Sequence, residues 1–260
     1  MKIISWNCRG IVNRRVRNHV KQLLTTSKAD VICLLEIKSS KAENMVNLAF
    51  KLGFNNHFLV DPLGFAGGLL LFWKQCQIDL EVIGHNSQAI HTKVDRWPGV
   101  CFFTFAYVRP NLQAKCRFWD YCKSLANTTQ APWCVLGDFN DIASSEEQWG
   151  SDSANPNQIQ RFIDAFGDCN LIDRGAAGSN FTWYRYVGNQ VTQMRRLDRV
   201  LWNMNAQLAF PEAKVAVLPR LHSDHSPIMF IEEAGSPPER SLRPFRFEAA
   251  WLTREDYNSI

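Results

Sequence analysis

The amino-acid sequence predicts an α/β fold in which two packed sheets are flanked by helices. Short apolar runs typical of strands recur along the chain, and amphipathic segments with helical spacing lie between some of them. In the middle of the chain, the predicted strands follow one another at intervals that suit hairpins. Many strands with a few helices between them are typical of an α/β sandwich.

Strands are predicted where short runs are rich in apolar, β-branched and aromatic residues. The run "DVICLLE" ends on a carboxylate, and the run "WCVLGDFN" continues into polar residues. In chain order, the predicted strands cover residues 2–7, 30–36, 67–73, 78–84, 89–94, 100–108, 133–140, 181–184, 195–202, 213–218 and 227–232.

Helices are predicted where apolar residues recur every three or four positions. The apolar residues of segment 14–27 fall on one helical face, and segment 41–52 has the same character. Helical spacing returns around residues 118–125 and 159–166. These helices separate strands outside the central hairpin region, as an α/β arrangement requires.

The composition predicts a folded domain followed by a different kind of segment. The chain has 260 residues, of which 46% are hydrophobic and 21% charged, so it can bury a substantial core. Residues 232–244 are rich in proline and charge. We therefore expect one domain over residues 1–235 and a linker-like tail over residues 236–260.

Charge and cysteine content narrow the class of protein. The formal net charge of +4 permits a polyanionic partner without demanding one. The eight cysteines include no Cys-x-x-Cys pair, which disfavours a zinc site, and a chain with this much core needs no disulfides. No run approaches the roughly 20 apolar residues of a membrane span, and no signal peptide is visible. We expect an intracellular protein with no membrane or disulfide partner.

Polar side chains stand at the ends of several predicted strands. Because side chains two apart on a strand share a face, Asp138 and Asn140 should point the same way, and so should Arg196 and Asp198. The other polar groups in such positions are Asn7, Glu36, Tyr107, Ser223, Asp224 and His225. If these strand ends meet at one edge of a sandwich, they form a site.

The oxygen-bearing residues of this set suit a hard metal ion. Glu36, with Asp138 or Asp224, offers the carboxylates that Mg²⁺ takes as ligands. Asp138 is also a candidate to orient an attacking water.

The remaining residues suit an anionic substrate. Asn140 is neutral, so it can donate a hydrogen bond to a phosphate without repelling it. A protonated His225 can stabilise charge on a phosphoryl group, and Asp198 can hold its ring and raise its pKa. The residues therefore predict a phosphodiesterase.

These motifs carry a resemblance to a known family. They are, in order, "WNCRG" (6–10), "LLE" (34–36), "YVRP" (107–110), "GDFND" (137–141), "FTW" (181–183), "RRLDRVL" (195–201) and "SDHSP" (223–227). The chain resembles the endonuclease/exonuclease/phosphatase superfamily over about residues 1–232, and most of all the endonuclease domains of plant LINE-type non-LTR retrotransposons. The tail resembles the linker that leads toward a reverse transcriptase, of which no motif is present in this chain.

The resemblance implies a fold, a reaction and roles for residues. The fold is a four-layer α/β sandwich of two packed mixed sheets flanked by helices, which is DNase-like, and the cofactor is Mg²⁺, with Mn²⁺ as an alternative ion. Asp138 would position the water and His225 would contact the scissile phosphate. The matched metal residues are Glu36, Asn7 and Asp224, the matched catalytic residues are Asp138, Asn140, His225, Asp198 and Tyr107, and the matched supporting residues are Thr182 and Ser223.

Two positions depart from the family pattern. Leu35 stands where the family often has glutamine before its glutamate, which should loosen a contact and leave the ligand intact. Arg9 stands where repair-type relatives carry a carboxylate or an amide. Arg9 argues against a second metal ligand at that position and for the retroelement branch.

The leading function is therefore a nuclear endonuclease that nicks one strand of double-stranded DNA and leaves a 3′-hydroxyl. Arg109, Arg185 and Arg195 flank site motifs and are candidates for DNA backbone contacts. A phosphatase acting on small phosphate esters is an alternative, although its members carry a different run where "RRLDR" stands. Two other hypotheses remain: a deadenylase-like RNase, and a non-catalytic remnant of a retroelement that binds nucleic acid.

Overall fold

The computed structural model of the chain describes residues 1–64, 66–96, 99–150 and 153–232. The domain end expected near residue 235 and the tail expected over residues 236–260 lie outside the described residues.

The first large sheet has six strands and combines the two ends of the domain. Its order is β14-β15-β1-β2-β4-β3. Its strands are β1 (Lys2–Asn7), β2 (Val31–Leu35), β3 (Asn56–Val60), β4 (Leu69–Trp73), β14 (Lys214–Val217) and β15 (Ile228–Ile231). β1 and β2 are parallel, and the other neighbours are antiparallel, so the sheet is mixed.

The second large sheet also has six strands and contains the central hairpins. Its order is β10-β13-β8-β7-β6-β5. Its strands are β5 (Asp79–Asn86), β6 (Ala89–Arg96), β7 (Gly99–Tyr107), β8 (Trp133–Asp138), β10 (Leu171–Asp173) and β13 (Asp198–Asn203). β7 and β8 are parallel and the remaining neighbours are antiparallel, so this sheet is mixed too.

Of the helices that the described residues form, four cover the outer faces of the two sheets, and a short fifth helix contributes Ala206 to the core between them. The helices are α1 (Arg14–Ser27), α2 (Glu43–Lys51), α3 (Leu112–Thr128), α4 (Pro156–Gly167) and α5 (Met204–Ala209). Val20 of α1 and Met45 of α2 pack with Trp6 on the outside of the first sheet. Phe118 of α3 and Phe162 of α4 pack on the outside of the second.

The main core lies between the two sheets. Alternate side chains of each strand point into it, so Ile3 faces the second sheet while Ile4 faces the helices. Phe103, Phe105 and Leu136 complete the core from the other side. Strands buried on both faces explain why the predicted strands are continuous apolar runs. The four-layer sandwich is confirmed.

A third, three-stranded sheet was not predicted as a unit. It contains β9 (Gln148–Gly150), β11 (Trp183–Val187) and β12 (Gln190–Arg195) in the order β11-β12-β9. The predicted strand 195–202 is wrong, because β12 ends at Arg195 and β13 begins only at Asp198. The break places Arg196 beside Glu147 and Asp173, so the prediction that Arg196 shares a face with Asp198 is also wrong.

Several short elements escaped prediction. β9 and β10 have three residues each, and α5 has six, too few to show a period. β3, "NHFLV", has mixed burial and carries a weak alternation signal.

No helix in the described part of the chain has the length and apolar character needed to cross a membrane. All eight cysteines are free.

Candidate active site

Strand ends from both large sheets meet at one edge of the sandwich. The carboxyl ends of β1 and β2 lie side by side, as do those of β7 and β8, because each pair is parallel. In the second sheet Tyr107 stands opposite Asp138, and Asp138 stands opposite Asp198. The three residues form a row across neighbouring strands.

Asn7 connects the two sheets at this edge. Its side chain is buried at the end of β1. Asn7 Nδ2 donates to Glu36 Oε2 at 3.0 Å and to Asp138 Oδ2 at 2.9 Å. One amide therefore holds the carboxylate that follows β2 against the carboxylate that ends β8.

His225 lies between two buried carboxylates. Its Nδ1 is 2.9 Å from Asp198 Oδ2, and its Nε2 is 3.8 Å from Asp138 Oδ2. Burial disfavours the charged ring, but Asp198 and Asp138 outweigh it and raise the pKa of His225 to about 9. The ring is therefore protonated at neutral pH and donates from Nδ1 to Asp198.

Asp138 is a carboxyl group poised to change its protonation state. It is fully buried, and burial raises its pKa to about 7, helped by Asp198 and opposed by His225 and Asn7. A group with a pKa near neutrality can act as a base at the pH of the cell. Asp138, Asp198 and His225 also form a metal-ligand-like cluster in the described chain, with ligand atoms all within 4.8 Å, but they are already paired with one another.

Thr182 and Ser223 support this arrangement through the backbone. The Thr182 hydroxyl accepts from the amides of Leu197 and Asp198 at 3.0 and 2.9 Å, which fixes the start of β13. Ser223 Oγ donates to the Asn7 carbonyl at 2.8 Å and accepts from the His225 amide. The two hydroxyls thus fix the backbone positions from which the Asp198 and His225 side chains extend.

The turn after β8 places Asn140 beside Asp138. A Cβ on Gly137 would meet the Ala106 carbonyl oxygen at 1.9 Å, so only glycine allows β8 to approach β7 here. The strand ends at Asp138, and Asn140 adopts a left-handed backbone with φ of 50°. Its Nδ2 donates to the Val108 carbonyl at 2.8 Å and lies 3.4 Å from Asp138 Oδ2. The two side chains are neighbours as predicted, but a turn brings them together, since the strand predicted to residue 140 ends two residues earlier.

Tyr107 and Arg109 lie next to this cluster. Burial, then the charges of Glu36 and Asp138, raise the pKa of Tyr107 above its ordinary range, so its phenol stays protonated. Arg109 and the Tyr107 ring both lie next to Gly67, and the Nε and Nη2 of Arg109 are buried with no hydrogen-bond partner. Buried donors without an acceptor are costly, and an anionic ligand would satisfy them.

The other two predicted DNA-contact arginines lie on the three-stranded sheet. Arg185 is exposed on β11, and the Arg195 guanidinium stands 5.9 Å from the centre of the Trp183 ring. Trp183 Nε1 donates to Asp224 Oδ2 at 2.9 Å. The three-stranded sheet therefore attaches directly to the site, although Arg185 and Arg195 do not enter it.

Comparison with known families identifies the group to which this geometry belongs. The sequence profile of the endonuclease/exonuclease/phosphatase family matches residues 4–225. The chain belongs to this family. The match contains the motifs from Asn7 to His225, so the superfamily resemblance is confirmed, while the plant LINE assignment stays a prediction. The comparison with curated proteins found no match.

Solved structures of the family share the fold. The AP endonuclease LMAP from Leishmania major has a TM-score of 0.69 at 16% identity, covering 88% of this chain and 86% of that one. The 3′-5′ exonuclease NExo from Neisseria meningitidis has a TM-score of 0.68 at 18% identity, covering 90% and 100%. The endonuclease domain of TRAS1, a telomere-specific non-LTR retrotransposon, has a TM-score of 0.64 at 12% identity, covering 88% and 96%.

The donor set of this family member fits a divalent cation at Glu36 and Asp224. Arg9 Nε lies 3.0 Å from Asp224 Oδ1 and 3.4 Å from Glu36 Oε2, so one cationic group already bridges the two carboxylates. Lys38 Nζ is 3.0 Å from Glu36 Oε1. Burial favours the neutral form of Asp224, but His225 and Arg9 outweigh it and lower the pKa of Asp224. Two carboxylates that already contact cationic side chains are suitable hard oxygen ligands.

Several residues of the site escaped sequence reasoning. Lys38 and Trp183 contact the Glu36 and Asp224 carboxylates, and Arg9 was treated only as a marker of the retroelement branch. Lys115 was missed entirely, although its Nζ donates to the Asn140 carbonyl at 2.8 Å. A buried lysine in an amphipathic helix gives no signal in a sequence until its partner's position is known.

Proposed function

We propose that this family member is a divalent-metal-dependent DNA endonuclease that nicks one strand and leaves a 3′-hydroxyl. The observation that carries the proposal is the buried row Asp138–His225–Asp198, which lies where strand ends of both sheets meet and is joined to Glu36 by Asn7. It combines a base with a raised pKa, a protonated imidazole and a carboxylate that fixes the ring. Hydrolysis of a phosphodiester needs these parts.

The residues of the chain would act as follows. Asp138 takes the proton of a water that attacks the phosphorus. His225, kept protonated by Asp198, donates a hydrogen bond to a phosphoryl oxygen as negative charge grows there. Tyr107 offers a neutral donor to the same phosphate, and so does Asn140 through the Nδ2 proton that is not donated to the Val108 carbonyl. The bond from phosphorus to the 3′ oxygen breaks, and that oxygen leaves with the bonding electrons and takes a proton from solvent water, which gives a 3′-hydroxyl and a 5′-phosphate.

A divalent cation held by Glu36 and Asp224 would neutralise charge on the phosphate and the leaving oxygen. Mg²⁺ suits an oxygen-only donor set, and Mn²⁺ is the alternative ion. Asn7 would keep Glu36 oriented, since it donates to Oε2.

Duplex DNA is the favoured substrate because cationic groups extend beyond the space for one phosphate. The unpartnered Arg109 nitrogens would donate hydrogen bonds to a neighbouring phosphate, which a small phosphate ester does not supply. Arg185 and Arg195 on the attached sheet would extend the contact. The ordered motifs and Arg9 favour an origin in a plant LINE-type element, and a DNA substrate implies residence in the nucleus.

The test is nicking of supercoiled plasmid by purified protein with Mg²⁺, with Mn²⁺ and with EDTA. We expect relaxed circles that carry 3′-hydroxyl ends and form only when the metal is present. The nicking rate should fall by at least about a hundredfold in the Asp138→Ala and His225→Ala proteins. The exposed Arg117→Ala protein is the control and should keep wild-type activity. Folded wild-type protein that hydrolyses small phosphate esters but not plasmid would support the phosphatase instead, and inactivity on both with retained DNA binding would support a non-catalytic remnant.

A further inference from the structure

A second cationic surface lies on the outer helical layer of the first sheet. Helices α1 and α2 are neighbours there, and a groove of about 350 Å³ runs between them. The polar residues that line the groove are Arg14, Arg17, Asn18, Lys21, Asn44, Asn47 and Lys51. No carboxylate lines it, and Glu43, the acidic residue in the first turn of α2, is not among the lining residues.

The two helices present matching rows of donors. Arg14, Arg17 and Lys21 are three and four residues apart on α1, and Asn44, Asn47 and Lys51 repeat the same spacing on α2. Residues with this spacing share one face of a helix, so each row extends about 10.5 Å along its axis. One strand of a duplex carries a phosphate about every 3.4 Å along the duplex axis, so each row is as long as about three phosphate intervals.

The cations of the groove are free to take an external anion. Among the described residues, none of the four is paired with a carboxylate; the one side-chain hydrogen bond is from Arg17 Nη1 to the Val12 carbonyl at 2.6 Å. The asparagines contribute further N–H donors without adding negative charge. The surface is therefore built only of groups that attract or tolerate phosphates.

We propose that the α1–α2 groove binds the phosphate backbone of a second segment of duplex DNA, separate from the one at the catalytic edge. Leu48 is the single apolar lining residue, and no aromatic ring is available to stack a base. Proteins that hold single strands combine cations with stacking aromatic rings, so a purely cationic groove favours a duplex whose bases are already paired. The choice of DNA over RNA rests on the proposed function.

The test compares two triple variants that remove the same charge. Arg14→Gln/Lys21→Gln/Lys51→Gln removes three of the four cations of the groove, while Arg15→Gln/Lys28→Gln/Lys41→Gln removes three exposed cations outside its lining. Duplex binding is measured in EDTA as a function of salt. The logarithm of affinity falls linearly with the logarithm of salt concentration. We expect this slope to become less steep by about 2.7 in the groove variant, as for three lost phosphate contacts, and by less than about 1 in the control. Equal losses in both variants would overturn the groove.

A protection experiment keeps this proposal separate from the proposed function. Duplex DNA should protect Lys21 and Lys51 from acetylation in EDTA, and leave Lys28 and Lys41 reactive. If wild-type protein fails to nick plasmid but these two lysines are protected, DNA binding by the groove is supported and the endonuclease proposal is refuted. If plasmid is nicked and the lysines stay reactive, or only duplex RNA protects them, the groove is refuted.

Discussion

A single buried lysine controls the position of Asn140 from behind. Lys115 on α3 is 7% exposed, and its Nζ contacts both the Asn140 carbonyl at 2.8 Å and Asp141 Oδ1 at 2.7 Å. Gln158 on α4 donates to the same Asp141 oxygen at 2.6 Å. Because Asn140 has a left-handed backbone, which costs energy for an L-residue, these contacts help to keep the turn in place.

Replacement of Lys115 by methionine should therefore impair the reaction through Asn140. An error of about 1 Å in a reacting group can cost a hundredfold in rate, so we expect Lys115→Met to lower kcat/KM for DNA nicking by about 10–100-fold. The measurement is a double-mutant cycle with Asn140→Ala at a temperature where each protein is folded. Lys115→Met should add little in the Asn140→Ala background.

Lys123→Met, on the same helix but in an exposed ion pair with Asp168, should leave kcat/KM near the wild-type value. Fully additive effects of Lys115→Met and Asn140→Ala would show that the lysine does not act through the asparagine.

At the scale of elements, an ion-pair network joins the three-stranded sheet to the second large sheet. Arg199 of β13 is fully buried, contacts Glu147 and Asp173 at 2.8 Å each, and is joined by Arg196. Burial favours neutral carboxyl groups, but the two guanidinium groups outweigh it and lower the pKa of both Glu147 and Asp173. The network holds the turn before β9 against β10 and β13.

The lowered pKa values predict acid sensitivity at this junction. The folded pKa of Asp173 lies below its unfolded value of about 3.9, so its contribution to stability is present above pH ~4 and lost as the pH falls through the folded pKa. We expect the free energy of unfolding to fall less steeply between about pH 5 and pH 3 in Asp173→Asn than in the wild type. Urea denaturation across this range measures it, with Asp120→Asn, an exposed carboxylate on α3, as the control. An unchanged slope in Asp173→Asn would mean that the network adds nothing to acid sensitivity.

The network also shows why parts of the fold and of the candidate site could not be predicted from the sequence. The buried strands were visible as apolar runs, and polar groups at their ends marked Asn7, Glu36 and Asp138. Arg196 and Arg199, in contrast, looked like part of a continuous strand, and only their partners Glu147 and Asp173, distant in sequence, show where the strand breaks. Positions fixed by long-range pairs rather than by local periodicity cannot be read from one sequence.

At the scale of the whole molecule, the candidate site lies at the junction between the two large sheets, which we call the seam. Asn7 from the first sheet holds Asp138 of the second, while His225, next to β15 of the first sheet, contacts Asp198 of the second. Each sheet supplies only some of the candidate site residues, so the packing of the central core sets the distances between them. Residues carried on strands are held more rigidly than residues on loops, which suits a reaction that depends on position.

The seam concentrates negative charge, and this leads to a prediction about metal and folding. Glu36 and Asp224 share the guanidinium of Arg9, so a bound divalent cation would compete with it and add attraction across the seam. A ligand that binds only the folded state stabilises it by about 2.7 kcal/mol at a hundred times its Kd.

We expect saturating Mg²⁺ to raise the free energy of unfolding by about 1–3 kcal/mol over EDTA in urea titrations of the wild type. Glu36→Gln should lose most of this gain, whereas the exposed Glu212→Gln should keep it, because only Glu36 lies at the seam. Equal gains in all three proteins would place the stabilising ion elsewhere and remove Glu36 from the metal site.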